Sequence, residues 1–144
     1  MFKRICCLLL ALGMLLLCSC SLFDPQGRVR IVSGKETYKP VTYFQYSLRA
    51  GLAADGRLRQ PAEVADELDA FVLGEDYEIV IQGSVWNPPE YLLVSLPEGE
   101  YVDSGPAFVR PQDPGTYVLR ILASWGNDKR NAGYQYFFKF TIPD

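Results

Sequence analysis

GTYVLRILASW, residues Gly115–Trp125, is the stretch that decides the fold. Tyr117, Leu119, Ile121, Ala123 and Trp125 alternate there with Val118, Arg120, Leu122 and Ser124. A period of two belongs to a β-strand, whose successive side chains leave opposite faces. The C-terminal stretch repeats the pattern, with Tyr134, Tyr136, Phe138, Phe140 and Ile142 on one face. Gln135, Phe137, Lys139 and Thr141 take the other. Between the two lies the polar run Gly126–Gly133, which reads as a hairpin loop. The strands are expected to pair antiparallel and bury their aromatic faces together.

The rhythm continues upstream. Tyr77–Trp86 alternates, with Tyr77, Ile79, Ile81, Gly83 and Val85 on one side and Trp86 on the other. Asn87-Pro88-Pro89-Glu90 predicts a turn, because proline cannot donate to a ladder. Tyr91–Leu96 is another strand, Pro97–Glu100 a turn, and Pro106–Arg110 a short edge or sheet-switching strand. Nearer the start, Arg28–Val32 and Thr42–Leu48 read as strands, the second with Phe44, Tyr46 and Leu48 on one face. Pro61–Leu68 alone has helical spacing. A proline at its first position and acids in its first turn suit a short helix in a crossover loop. The fold expected is all-β: an antiparallel β-sandwich of about seven strands with one short helix.

The first residues read as an address. Lys3 and Arg4 precede an apolar run, Ile5–Leu17, of about 13 residues, within the roughly 7–15 of a signal-peptide core. Leu17-Cys18-Ser19-Cys20 follows. It resembles the lipobox of bacterial lipoproteins, with an aliphatic residue at −3, a small one at −1, and the cysteine that is lipidated. Cleavage before Cys18 would instead put Leu17 at −1, where a small residue is needed. The resemblance implies a signal peptide at 1–19, acylation of Cys20, a tether at 20–27 and a domain at 28–144. Two or three acyl chains, at about 0.8 kcal/mol per buried CH₂, make a lasting anchor. The bland alternatives are an uncleaved membrane helix and a plain secretory signal. All three place the domain outside the cytoplasm, and the lipid-anchored reading places it on the cell membrane or the outer membrane. Ser21 after Cys20, rather than Asp, resembles outer-membrane sorting in a Gram-negative cell.

Composition narrows the chemistry. The 144 residues carry a net charge of −3, and losing Lys3 and Arg4 makes the remainder more acidic. That is a poor match for nucleic acid. Histidine is absent, and all four cysteines, Cys6, Cys7, Cys18 and Cys20, precede residue 21. The domain therefore has no imidazole base, no thiol nucleophile, no disulfide and no thiolate metal site. The acids Glu63, Asp66, Glu67, Asp69, Glu75, Asp76 and Glu78 lack the spacing of a calcium loop and read as a solvated face. Glu98, Glu100 and Asp103 sit in a small turn, without the cleft that an acid pair needs for glycoside hydrolysis. Neither an enzyme nor a cofactor site is predicted.

Asp113-Pro114-Gly115-Thr116-Tyr117 resembles the D-x-G-x-Y segment before strand F of immunoglobulin-like domains. With the two strands that follow, it is similar to the end of bacterial Ig-like domains in Gram-positive lipoproteins. The resemblance implies a tyrosine corner at Tyr117, with Asp113 and Gly115 shaping the turn. Leu119 stands where antibody domains have a cysteine, which excludes the disulfide version. Such families suggest an interaction module with a protein or glycan partner in the envelope. The candidate contacts are Trp86, Asn87 and Tyr91 in one loop and Asn127 and Asp128 in the other, since exposed aromatics anchor partners. Trp125 falls on the core face. A proteinase inhibitor acting through inserted loops, and a structural subunit of an envelope complex, are the alternatives.

Overall fold

The computed structural model describes residues 24–144. Cys20 and the expected signal segment lie outside the described residues. The domain is all-β, with antiparallel sheets in a sandwich-like arrangement. The strands are β1 (Arg28–Ser33), β2 (Glu36–Tyr38), β3 (Val41–Arg49), β4 (Leu52–Asp55), β5 (Ala70–Val72), β6 (Tyr77–Gln82), β7 (Val85–Leu96), β8 (Glu100–Gly105), β9 (Gly115–Gly126) and β10 (Arg130–Ile142). A short helix α1 (Pro61–Val64) continues into a 3₁₀ turn, Ala65–Glu67. The larger sheet runs β4-β3-β10-β9-β7-β8, and β5 lies parallel to β10 near its end. The smaller sheet is β2-β1-β6. Among the described residues, no helix is long and apolar enough to cross a membrane.

The β9–β10 pair forms the spine, in unbroken register from Asn131↔Gly126 to Ile142↔Gly115. Its first face is the one that alternation predicted. Tyr117, Leu119, Ile121, Ala123 and Trp125 meet Tyr136, Phe138, Phe140 and Ile142 in the main core, which Val29 and Ile31 of the small sheet close from above. Aromatic pairs stitch this layer, with Tyr117 stacked on Phe140 at 5.7 Å and Phe108 edge-on to Phe140 at 6.0 Å.

The second face is buried as well. Val118, Phe137 and Val94 pack beneath Val64, Ala65 and Leu68 of the crossover. Pro61 at the helix start supplies a preset φ, and Glu63 Oε2 accepts from the Gln60 N–H at 3.3 Å. Polar residues of this face hold the crossover down. Gln135 is 0% exposed. Its Oε1 accepts from the Arg59 N–H at 2.7 Å, and its Nε2 donates to the Arg57 carbonyl at 2.8 Å. Arg120 Nη1 donates to the Arg59 carbonyl at 3.0 Å, and Lys139 Nζ to the Ala65 carbonyl at 3.0 Å. Thus the segment 57–68 is a strap, bonded to the sheet as a strand would be but through side chains.

Several expectations are corrected. There are ten strands among the described residues rather than about seven. β2, β4 and β5 span three or four residues each, too few to show a period. Pro106–Arg110 forms no strand. It lies against the sandwich through Phe108 and through Arg110 Nη2, which donates to the Leu73 carbonyl at 3.0 Å. Asn87–Glu90 is not a turn between strands but part of β7, where the register against β9 slips twice. A bulge tolerates proline because it needs no ladder donor there. The first upstream strand ends at Gln82, and Val85 is exposed rather than in the core. Phe44 and Tyr46 do not share a face. A register shift opposite Gly133 and Tyr134 leaves Phe44 edge-on to Tyr134, while the Tyr46 ring covers Gly133.

Gln135→Leu would leave the Arg59 N–H and the Arg57 carbonyl without partners beneath the strap. It is expected to cost about 2–4 kcal/mol in urea unfolding. Gln135→Glu should cost at least as much, because it sets a buried carboxylate against the Arg57 carbonyl that the amide donates to.

Candidate functional site

The strap covers only part of the second face. Beyond it, on β7, β8 and β9, lies a cavity of about 740 Å³. The register explains its lining. Leu92 stands opposite Arg120 on β9 and opposite Ser104 on β8, and Glu90 stands opposite Leu122. Pro88 and Pro89, carried by the bulge, also line it. The Asn87 N–H meets Ser124 Oγ at 3.2 Å, a side-chain bond where the ladder slips. A neighbouring cavity of about 170 Å³ shares Asn87, Pro88, Glu90 and Leu122 and is bounded by Tyr46.

Arg120 is the chemically distinctive residue. It is 9% exposed, lines the larger cavity, and spends Nη1 on the strap. Its Nε is buried without a hydrogen-bond partner. The ion pairs among the described residues are Arg49–Asp24, Arg57–Glu63 and Arg59–Glu67, and none involves Arg120. Burial lowers the pKa of its guanidinium, and the negative charge of Glu90 works against that shift. In the sequence Arg120 stands only as one residue of the second face. The available signal was a lone cation in the middle of an otherwise apolar strand.

The predicted contacts fall in different places. Asn87 and Tyr91 border the larger cavity, but the Tyr91 ring packs on the main core, and its burial raises the phenol pKa. Trp86 is 40% exposed and does not line the cavity. The hairpin loop is shorter than expected, since β9 reaches Gly126 and β10 begins at Arg130. Asn127 builds this turn itself. Its Oδ1 accepts from the N–H groups of Lys129 and Arg130, at 3.0 and 3.1 Å. Asp128 sits at the exposed tip. Tyr117 Oη donates to the Asp113 carbonyl at 2.9 Å. The acids of 63–78 do not converge, and among the described residues no group of three could hold a metal ion.

Comparison with family models, with curated proteins and with solved structures returns no match for this chain.

The hairpin end has a second task. Asp24–Gly27, expected as part of a tether, is seated on it. Asp24 pairs with Arg49 at 3.0 Å. Gly27 lies so close to the Trp125 indole that a Cβ there would overlap the ring, and Gly83 is pressed against Gly27 in the same way. Trp125 Nε1 donates to Tyr136 Oη at 2.8 Å. Burial raises the Tyr136 pKa to about 12, against hydrogen bonds with Trp125 and Gln26 that lower it.

A phenol whose pKa is raised on folding stabilises the fold below its unfolded value near 10 and loses that contribution as the pH climbs towards 12. Unfolding free energy is thus expected to fall by about 2–3 kcal/mol across that window. Tyr136→Phe should flatten the decline, as followed by denaturant unfolding at stepped alkaline pH.

Proposed function

We propose that this chain is a membrane-anchored extracytoplasmic lipoprotein, acylated at Cys20, whose Ig-like domain is a binding module. The cavity beside the strap carries the binding part of the reading. It is a concave site beside the strap, with Leu92 and Leu122 in its lining and one cation, Arg120, that makes no ion pair among the described residues. The bond from Tyr117 to Asp113 supports the Ig-like comparison, as a tyrosine hydroxyl returned to backbone just upstream of its strand.

Anchoring rests on the apolar run and Leu17-Cys18-Ser19-Cys20. Since Asp24 is held by Arg49, only a short segment separates the domain from Cys20, about 14 Å if extended. The hairpin end, with Asn127, Asp128 and Lys129, then faces the bilayer. The cavity lies on the flank, open to the envelope space. A proteinase inhibitor needs a protruding loop, and Asn127–Lys129 is tied back on itself. That alternative, and the structural subunit, draw less support than a flank binder.

Two measurements test the reading. Mass spectrometry of the processed protein should find a chain beginning at Cys20 with a diacylglyceryl group on its sulfur. An unmodified thiol on a chain still beginning at Met1 would remove the anchor. Ser104→Cys carrying a polarity-sensitive dye should respond saturably to solubilised envelope material, because Ser104 is exposed at the cavity rim. Silence with every fraction would remove the binder.

A further inference from the structure

Arg120 presents a buried guanidinium that forms no ion pair among the described residues. Ionised groups taken out of water are stable when a counter-charge and hydrogen bonds replace the solvent. Arg120 has one such bond, from Nη1 to the Arg59 carbonyl. Its Nε has none, and no carboxylate among the described residues comes within ion-pair distance. A guanidinium carries five N–H donors in a planar fork, and one of them is committed to the strap. The residue nonetheless lines a cavity of about 740 Å³ whose floor includes Leu92 and Leu122 and whose wall includes Pro88. The pieces are those of a site for an anion with an apolar stem.

Glu90 narrows the class. It is exposed, lines the same cavity, and its negative charge reaches Arg120. Arg120 is the one cation in the cavity lining, so the second negative charge of a dianion such as phosphate would find Glu90 and no further cation there. We propose that the cavity binds a monocarboxylate on an apolar stem, the carboxylate at Arg120 and the stem on Leu92 and Leu122. The C-terminal end of an apolar peptide and a small organic acid share this chemistry. This rests on the reading of the domain as a binding module and names what it takes.

The test uses the full chain, ¹⁵N-labelled, in detergent micelles. N-acetyl-leucine is titrated against N-acetyl-leucinamide, which has the same stem and no charge. The Nε–Hε resonance of Arg120 and the amides of Ser104 and Leu122 report on the site. The acid should shift them saturably, with the amide about tenfold weaker or more. N-acetyl-leucine and a tripeptide Ala-Ala-Leu with a free C-terminus then separate a small acid from a peptide end by relative affinity. Arg120→Gln should abolish the preference for the acid. Because Arg120 also ties down the strap, Glu90→Gln on the exposed rim is the independent variant, and it should strengthen binding of the acid several-fold. Equal response to acid and amide would overturn the carboxylate while leaving a groove that binds. No response of any of the three resonances to the acid would overturn it too, whereas the dye-labelled Ser104→Cys protein tests the binding module separately.

Discussion

A hairpin that is apolar on both faces must be covered twice. β9 and β10 put Tyr117, Ile121 and Phe140 on one side and Val118 and Phe137 on the other. A two-layer sandwich buries only the first set. The strap from Arg57 to Leu68 supplies the third layer, and everything distinctive about this domain follows from how it is attached. Backbone groups buried under a covering segment need partners. Here Gln135, Arg120 and Lys139 provide them from the sheet face, so polar residues at alternate positions serve as clasps.

The strap is too short to cover the whole face, and its edge makes the cavity. Covering Val94, Val118 and Phe137 uses the helix and its 3₁₀ extension. Leu92, Leu122 and Glu90, nearer the bulged start of β7, are left beyond it. The bulge places Pro88 and Pro89 in the wall without breaking the sheet, because the ladder slips there and asks for no donor. Arg120 falls at the boundary. Its Nη1 is bonded to the strap, and the residue also lines the cavity.

The main core was legible because long strands with a strict period leave little choice of face. Five alternating apolar residues in β9 and five in β10 can share one side only. The Pro61–Leu68 helix was legible from its proline and its apolar spacing. The bulges were not, since Asn-Pro-Pro-Glu reads equally as a turn, and only the pairing of β7 with β9 shows that the strand continues. The short edge strands carry no period to read. Asn127 looked like a free polar side chain, and it is the group that closes the hairpin turn.

Local order thus determined which residues alternate, which break a ladder and which lie buried together along one strand. Those properties depend on neighbours within a few positions, where covalent geometry sets the period. The tertiary structure alone decided that Arg59 and Gln135, 76 residues apart, would meet, and that Arg120 would be enclosed without an ion pair among the described residues. Such pairings depend on which segment covers which face. That is settled by the competition of the whole chain for two apolar surfaces, and no local pattern encodes it.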